Sequence, residues 1–151
     1  MYDGIDYEGQ VENFTLSNAS QDLFQIATGA TVPMLVRHII VTAGTTSQNI
    51  MRVQLVRRST ASSTSTASGT FAPKSPASTA ASATLLAGLT ALGTVGSLLA
   101  PQEWNVAAPL EFDYRPKSII IAPATWLCLF VPAAFGSTLP LSVWIECAEI
   151  K

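Results

Sequence analysis

A single histidine, two cysteines, three tryptophans and two carboxylates in "LEFDY" are the side chains whose chemistry could serve a reaction or a ligand. His38 lies in "MLVRHIIVTA" between Arg37 and Ile39, with no carboxylate at a spacing that would orient an imidazole for proton transfer. It reads as a hydrogen-bonded strand histidine. Glu111 and Asp113 share one face of an extended "LEFDY", an arrangement that glycoside hydrolysis can use. Arg115 and Lys117 follow closely, and charge pairing near a turn accounts for the carboxylates. Cys128 and Cys147, with one distant histidine, do not make a convergent metal-ligand set. No nucleophile elbow, phosphate-binding loop or dinucleotide fingerprint is present. The expectation is a protein that is not an enzyme and uses no cofactor or metal.

The tryptophans are the remaining ligand-capable groups, since sugars stack on exposed aromatic rings. Trp126 falls in the apolar run "TWLCLFV" and is expected in a core or an interface. Trp144 falls in "LSVWIECAE", where Leu141, Val143, Ile145 and Cys147 alternate with Ser142, Trp144, Glu146 and Ala148. That period of two predicts a half-buried antiparallel strand with Trp144 on its outer face, open to a ligand or a partner.

The same period positions everything else. "IMRVQLVRR" sets Met51, Val53 and Leu55 against Arg52 and Gln54, and "TWLCLFV" is apolar on both faces, as a central strand requires. In "MLVRHIIVTA" both faces are largely apolar, so its orientation stays open. Shorter extended runs are "VENFTL", "DLFQIAT", "EWNVA", "LEFDY" and "SIIIA", separated by Pro- and Gly-bearing turns. Eight to ten strands at this spacing predict an all-β antiparallel sandwich, with jelly-roll topology the natural candidate. "ASATLLAGLTAL" has Ala and Leu enough for one short helix or a strand.

Composition narrows the function classes. The chain has 151 residues, 12% charged and 48% hydrophobic, with a formal net charge of −2. That charge gives no footprint for nucleic acid. So little charge favours burial of part of the surface against partners. The long uncharged stretch from residue 75 to residue 102 is too rich in Ser, Thr and Gly for a membrane span. "MYDGIDYEGQ" has no apolar segment of the kind that directs secretion, so both cysteines are expected as buried free thiols in a reducing compartment. Residues 1–10 read as an extended acidic arm carrying Tyr2, Ile5 and Tyr7, and residues 11–151 as a single β-sandwich domain. Residues 59–82, "STASSTSTASGTFAPKSPASTAAS", read as a long Ser/Thr/Pro-rich loop joining two strands of that sandwich. Phe71 within it is costly to leave in water and is expected to anchor on this core or on a neighbour.

The runs "MLVRHIIVTAG", "MRVQLVRRST", "APKSPAS" and "SIIIAPATWLCLFVPAAFGSTLPLSVWIECAEI", in that order, resemble the jelly-roll decoration (cement) proteins of tailed-bacteriophage heads. The resemblance implies a virion protein on the outer capsid surface, made in the host cytoplasm. Its partners would be the major capsid protein and its own copies as a dimer or trimer, with no nucleic acid and no membrane. A carbohydrate-binding β-sandwich and another virion or tail subunit are the alternatives. For an adhesive role, the arm residues Tyr2, Ile5 and Tyr7, the loop residues Phe71, Pro73, Lys74 and Pro76, and then Trp144 are the expected contacts.

Overall fold

In a computed structural model, residues 4–17, 19–45, 48–76, 78–132 and 139–150 are described, and they form eleven strands and no helix. These are β1 (Gly4–Leu16), β2 (Gln21–Ala27), β3 (Met34–Ala43), β4 (Ile50–Arg58), β5 (Ala67–Pro73) and β6 (Thr84–Leu89). They continue with β7 (Val95–Asn105), β8 (Leu110–Asp113), β9 (Ile119–Ile121), β10 (Trp126–Val131) and β11 (Leu139–Ile150). All pair antiparallel in one curled sheet, ordered β7-β4-β10-β2-β6-β5-β1-β11-β3-β8, with β9 on β3. The fold is all-β and sandwich-like, as the alternation predicts. Among the described residues no helix is long and apolar enough to cross a membrane.

Strand β5 makes the corner at which the sheet turns over on itself. Its first half, Ala67 to Gly69, pairs with β6, and its second half, Thr70 to Pro73, pairs with β1. At Gly69 a Cβ would collide with the Gln10 carbonyl and the Val11 side chain, so the close approach at this corner requires glycine. Strands from either side of the Ser/Thr/Ala tract interleave: β10 lies between β2 and β4, and β11 lies between β1 and β3.

The core lies between the inward faces of this folded-over sheet. Leu141, Val143, Ile145 and Cys147 of β11 and Met51, Val53 and Leu55 of β4 all enter it, as their spacing predicts. The orientation of β3 was unreadable for a physical reason. A bulge where Glu146 and Cys147 face His38 and Val36 resets its parity, so Met34 and Val36 are inward at one end and Ile39 and Val41 at the other. The run "TLLAGL" is strand β6, not helix. Leu85, Ala87 and Leu89 alternate into burial against β2, and that pairing outweighs the helical preference of Ala and Leu.

Two segments differ from their expected form. Residues 4–10, expected as an arm, are the first half of β1, hydrogen-bonded to β11 on one side and, from Tyr7 onward, to β5 on the other. Tyr7 is fully buried and donates its hydroxyl to the Thr79 carbonyl at 2.9 Å. Residues 59–82, expected as one long loop, contain β5 and a single β-bridge from Ser63 to Ala91. Phe71 lies in that strand with its ring over Gly9, filling the space a side chain would otherwise occupy.

The start of the tract has its own role. Arg58 at the end of β4 makes two hydrogen bonds to Asp22 of β2, at 2.7 and 2.6 Å, and neither side chain is more than 1% exposed. Ser62 covers the pair, donating its hydroxyl to Asp22 at 2.5 Å and its backbone N–H to Gln25 at 2.7 Å. The Gly93 carbonyl accepts from Arg58 at 2.6 Å, and the Gly93 N–H donates to the Ser62 hydroxyl. Small hydroxyl side chains suit a lid of this kind, because each supplies hydrogen bonds to a buried ion pair without bulk.

Candidate functional site

The outward face of β1, β11, β3 and β8 gathers most of the polar chemistry. One cross-strand row joins Glu8, Glu146, His38 and Asp113, and the next joins Gln10, Trp144, Ile40 and Glu111. In the first row Lys74 bonds Glu146 at 2.9 Å and lies 3.6 Å from Glu8, while Arg115 bonds Asp113 at 2.6 Å and lies 3.9 Å from Glu146. The hydrogen bond from Lys74 holds Glu146 below the ordinary glutamate range against the opposing effect of its partial burial, and Lys74 is raised in return. Asp113 is held far below the carboxylate range by the Arg115 side chain and backbone N–H. Asp6 pairs with Arg37 at 2.8 Å.

His38 has the carboxylate partner that its own neighbourhood in the sequence does not show. Its Nε2 lies 2.6 Å from Glu111 Oε1, and the contact arises because β8 pairs with β3 across 73 residues of chain. One ligand atom each from His38, Glu111 and Asp113 falls within 4.8 Å of the others. All three are already engaged: Asp113 takes two side-chain hydrogen bonds from Arg115, and Glu111 and His38 bond each other.

In the second row, Trp144 is half-buried and meets the His38 ring edge-on, with centroids 5.4 Å apart and planes at 87°. A cleft of about 250 Å³ opens beside the indole, mainly apolar and lined also by Ile40, Val143, Gln10, Glu12, Thr42 and Ser142. Glu12 continues the outward alternation of Glu8 and Gln10. The β1 bulge between Val11 and Phe14 follows, where Asn13, in the left-handed conformation at φ 51°, donates its backbone N–H to Ser142 Oγ at 3.2 Å.

A second surface is the edge of the sheet at β7. This strand pairs only with β4 among the described residues, and its other edge presents unpaired backbone groups. Val95 and Leu98 are 44% and 61% exposed, and Leu92 just before the strand is 38% exposed. No charged residue occurs between positions 75 and 102, so the first eight residues of β7 carry none of the charges that usually guard an edge.

The expected contact residues are thus distributed unevenly. Trp144 and Lys74 lie at the outward face, Pro76 is exposed beyond it, and Tyr2 lies outside the described residues. Ile5 is half-buried against the core, and Pro73 pairs with Tyr7 on the inward side. Tyr7 and Phe71 have their rings in the core and are not available to a partner in this structure. Trp104 is also in the core, its indole N–H donating to the Ala108 carbonyl at 2.7 Å, and Trp126 is half-buried at the start of β10. Sequence reasoning missed Glu12, Gln10 and Thr42 at the cleft and the β7 edge. The uncharged run from 75 to 102 was the signal for the edge, while the cleft depends on strand register that no local pattern encodes. Compared with known protein families, curated proteins and solved structures, the chain matches none.

Proposed function

We propose that this chain is a structural adhesion protein without enzymatic activity, attached to the outside of a bacteriophage head, where it bridges subunits of the major capsid protein and stabilises the shell. The observation that carries the reading is the first part of the β7 edge, uncharged and unpaired among the described residues, with Val95 and Leu98 exposed. The charge-free part of this edge, before Pro101, is a template for strand addition by another chain, and main-chain hydrogen bonds plus apolar side chains supply the contact. The low overall charge supports close contact with a protein surface. The order and texture of the strands, which resemble head decoration proteins, supply the choice of capsid as the lattice. Many copies on a symmetric shell convert a modest single contact into firm attachment through effective concentration.

The test is co-sedimentation with undecorated heads, followed by heating. The parent chain should bind saturably and raise the temperature at which shells rupture. Leu98→Lys, which places a charge on the edge without entering the core, should bind at least tenfold more weakly, the equivalent of about 1.4 kcal/mol. Parent protein that neither binds nor protects heads would overturn the capsid reading.

A further inference from the structure

We infer that the cleft beside Trp144 is a binding site for one uncharged pyranose ring. The inference is independent of the lattice reading, since the cleft lies on the outward face of β1, β11 and β3 and not on β7. Three features carry it.

The indole is braced. His38 beneath it is 6% exposed, its Nε2 is fixed on Glu111, and its ring meets Trp144 at 87°. A tryptophan held this way presents a rigid apolar platform that loses little conformational entropy on binding. The C–H face of a pyranose is the complementary surface, and Ile40 extends the apolar floor.

The rim is polar and varied. Gln10 offers an amide donor and acceptor, Glu12 a carboxylate acceptor, and Thr42 and Ser142 hydroxyls. Vicinal sugar hydroxyls are donors and acceptors at once, and a carboxylate accepting from them makes the stronger, charge-assisted kind of hydrogen bond. The bulge and the left-handed Asn13 belong to the same feature: they interrupt the regular ladder at the point where Glu12 reaches the cleft.

The charge selects the sugar. Glu12 is the sole charged group lining the cleft among the described residues, and no ion pair engages it there. A uronate or sialate would meet like charge here, whereas a neutral hexopyranose would not.

Saturation-transfer NMR on the full chain tests this with methyl glucoside, galactoside and mannoside, N-acetylglucosamine, glucuronate and N-acetyl-arginine methylamide as probes. At least one neutral glycoside should receive saturation, and glucuronate should receive none. Trp144→Ala should weaken the binding at least tenfold, and Gln10→Ala, at an exposed rim position, should weaken it without lowering the unfolding temperature. Laminarin, dextran and mannan arms then separate a free sugar from a polymer terminus as the source. The proposal is overturned if no neutral glycoside binds, if binding survives both substitutions, or if only the arginine probe binds, which would make the cleft a seat for a basic peptide side chain.

Discussion

At the scale of single residues, the side chains that first draw the eye as contact groups are structural, and the useful ones are inconspicuous. Phe71 stands in a Ser/Thr tract with no local reason to order, yet its ring covers Gly9 across the β5–β1 pair and is 7% exposed. Phe71→Ala should therefore cost about 3 kcal/mol of folding stability by urea titration, as large-to-small core substitutions do. Any loss of attachment by that variant should disappear once only folded protein is counted. Ser62 shows the opposite pattern, an ordinary residue with a large role. Ser62→Ala removes a donor from the buried Asp22–Arg58 pair and should destabilise by about 1–3 kcal/mol, with the same denaturant slope. An anchoring role for Phe71 on this core was one of its two sequence readings, but its partner Gly9 and the role of Ser62 were not legible, because these are tertiary contacts between segments far apart in the chain. The ionic row does yield a pH dependence. Glu146 is lowered mainly by the Lys74 hydrogen bond, so its contribution is full above the ordinary glutamate value and is lost as pH falls through the lowered folded value. Lys74 is raised by the same bond, so its contribution is full below the ordinary lysine value and is lost as pH rises through the raised folded value. Thermal unfolding from about pH 5 to pH 3 should show a smaller decline in Glu146→Gln than in the parent.

At the scale of elements, alternation was the reliable signal and its interruptions were the unreadable part. The runs around Val53 and Val143 became β4 and β11 with the expected inward residues, and the run around Leu129 became β10, between β2 and β4 as a central strand. Strand β3 could not be oriented from its pattern, because the bulge opposite Cys147 changes which residues face the core. The first ten residues read as an arm because Asp6 and Glu8 dominate their composition. In the folded chain those charges are the outward half of a strand whose inward half includes Tyr7, Gly9 and Val11. Cys128 and Cys147 fall on buried strand positions as free thiols, and burial pushes both well above the ordinary thiol range. A thiol-reactive dye should find both only after denaturation, and reaction in the native state would contradict their placement in β10 and β11.

At the scale of the whole molecule, an all-β sandwich was legible from strand count, turn spacing and the scarcity of helical periodicity. The interleaving of β10 and β11 among the N-terminal strands was not, because the order of strands in a sheet depends on long-range pairing. That interleaving makes neither half able to close the core alone, so unfolding by heat should be one transition with equal van 't Hoff and calorimetric enthalpies. The central claim is that the molecule adheres through the β7 edge while its Trp144 face stays free. Hydrogen–deuterium exchange on the chain alone and on the chain bound to undecorated heads tests it most directly. Amides of residues 95–100 should gain protection on binding, while those of residues 9–13 and 141–145 keep their exchange rates. Protection confined to the β1–β11 face, with residues 95–100 unchanged, would contradict the account.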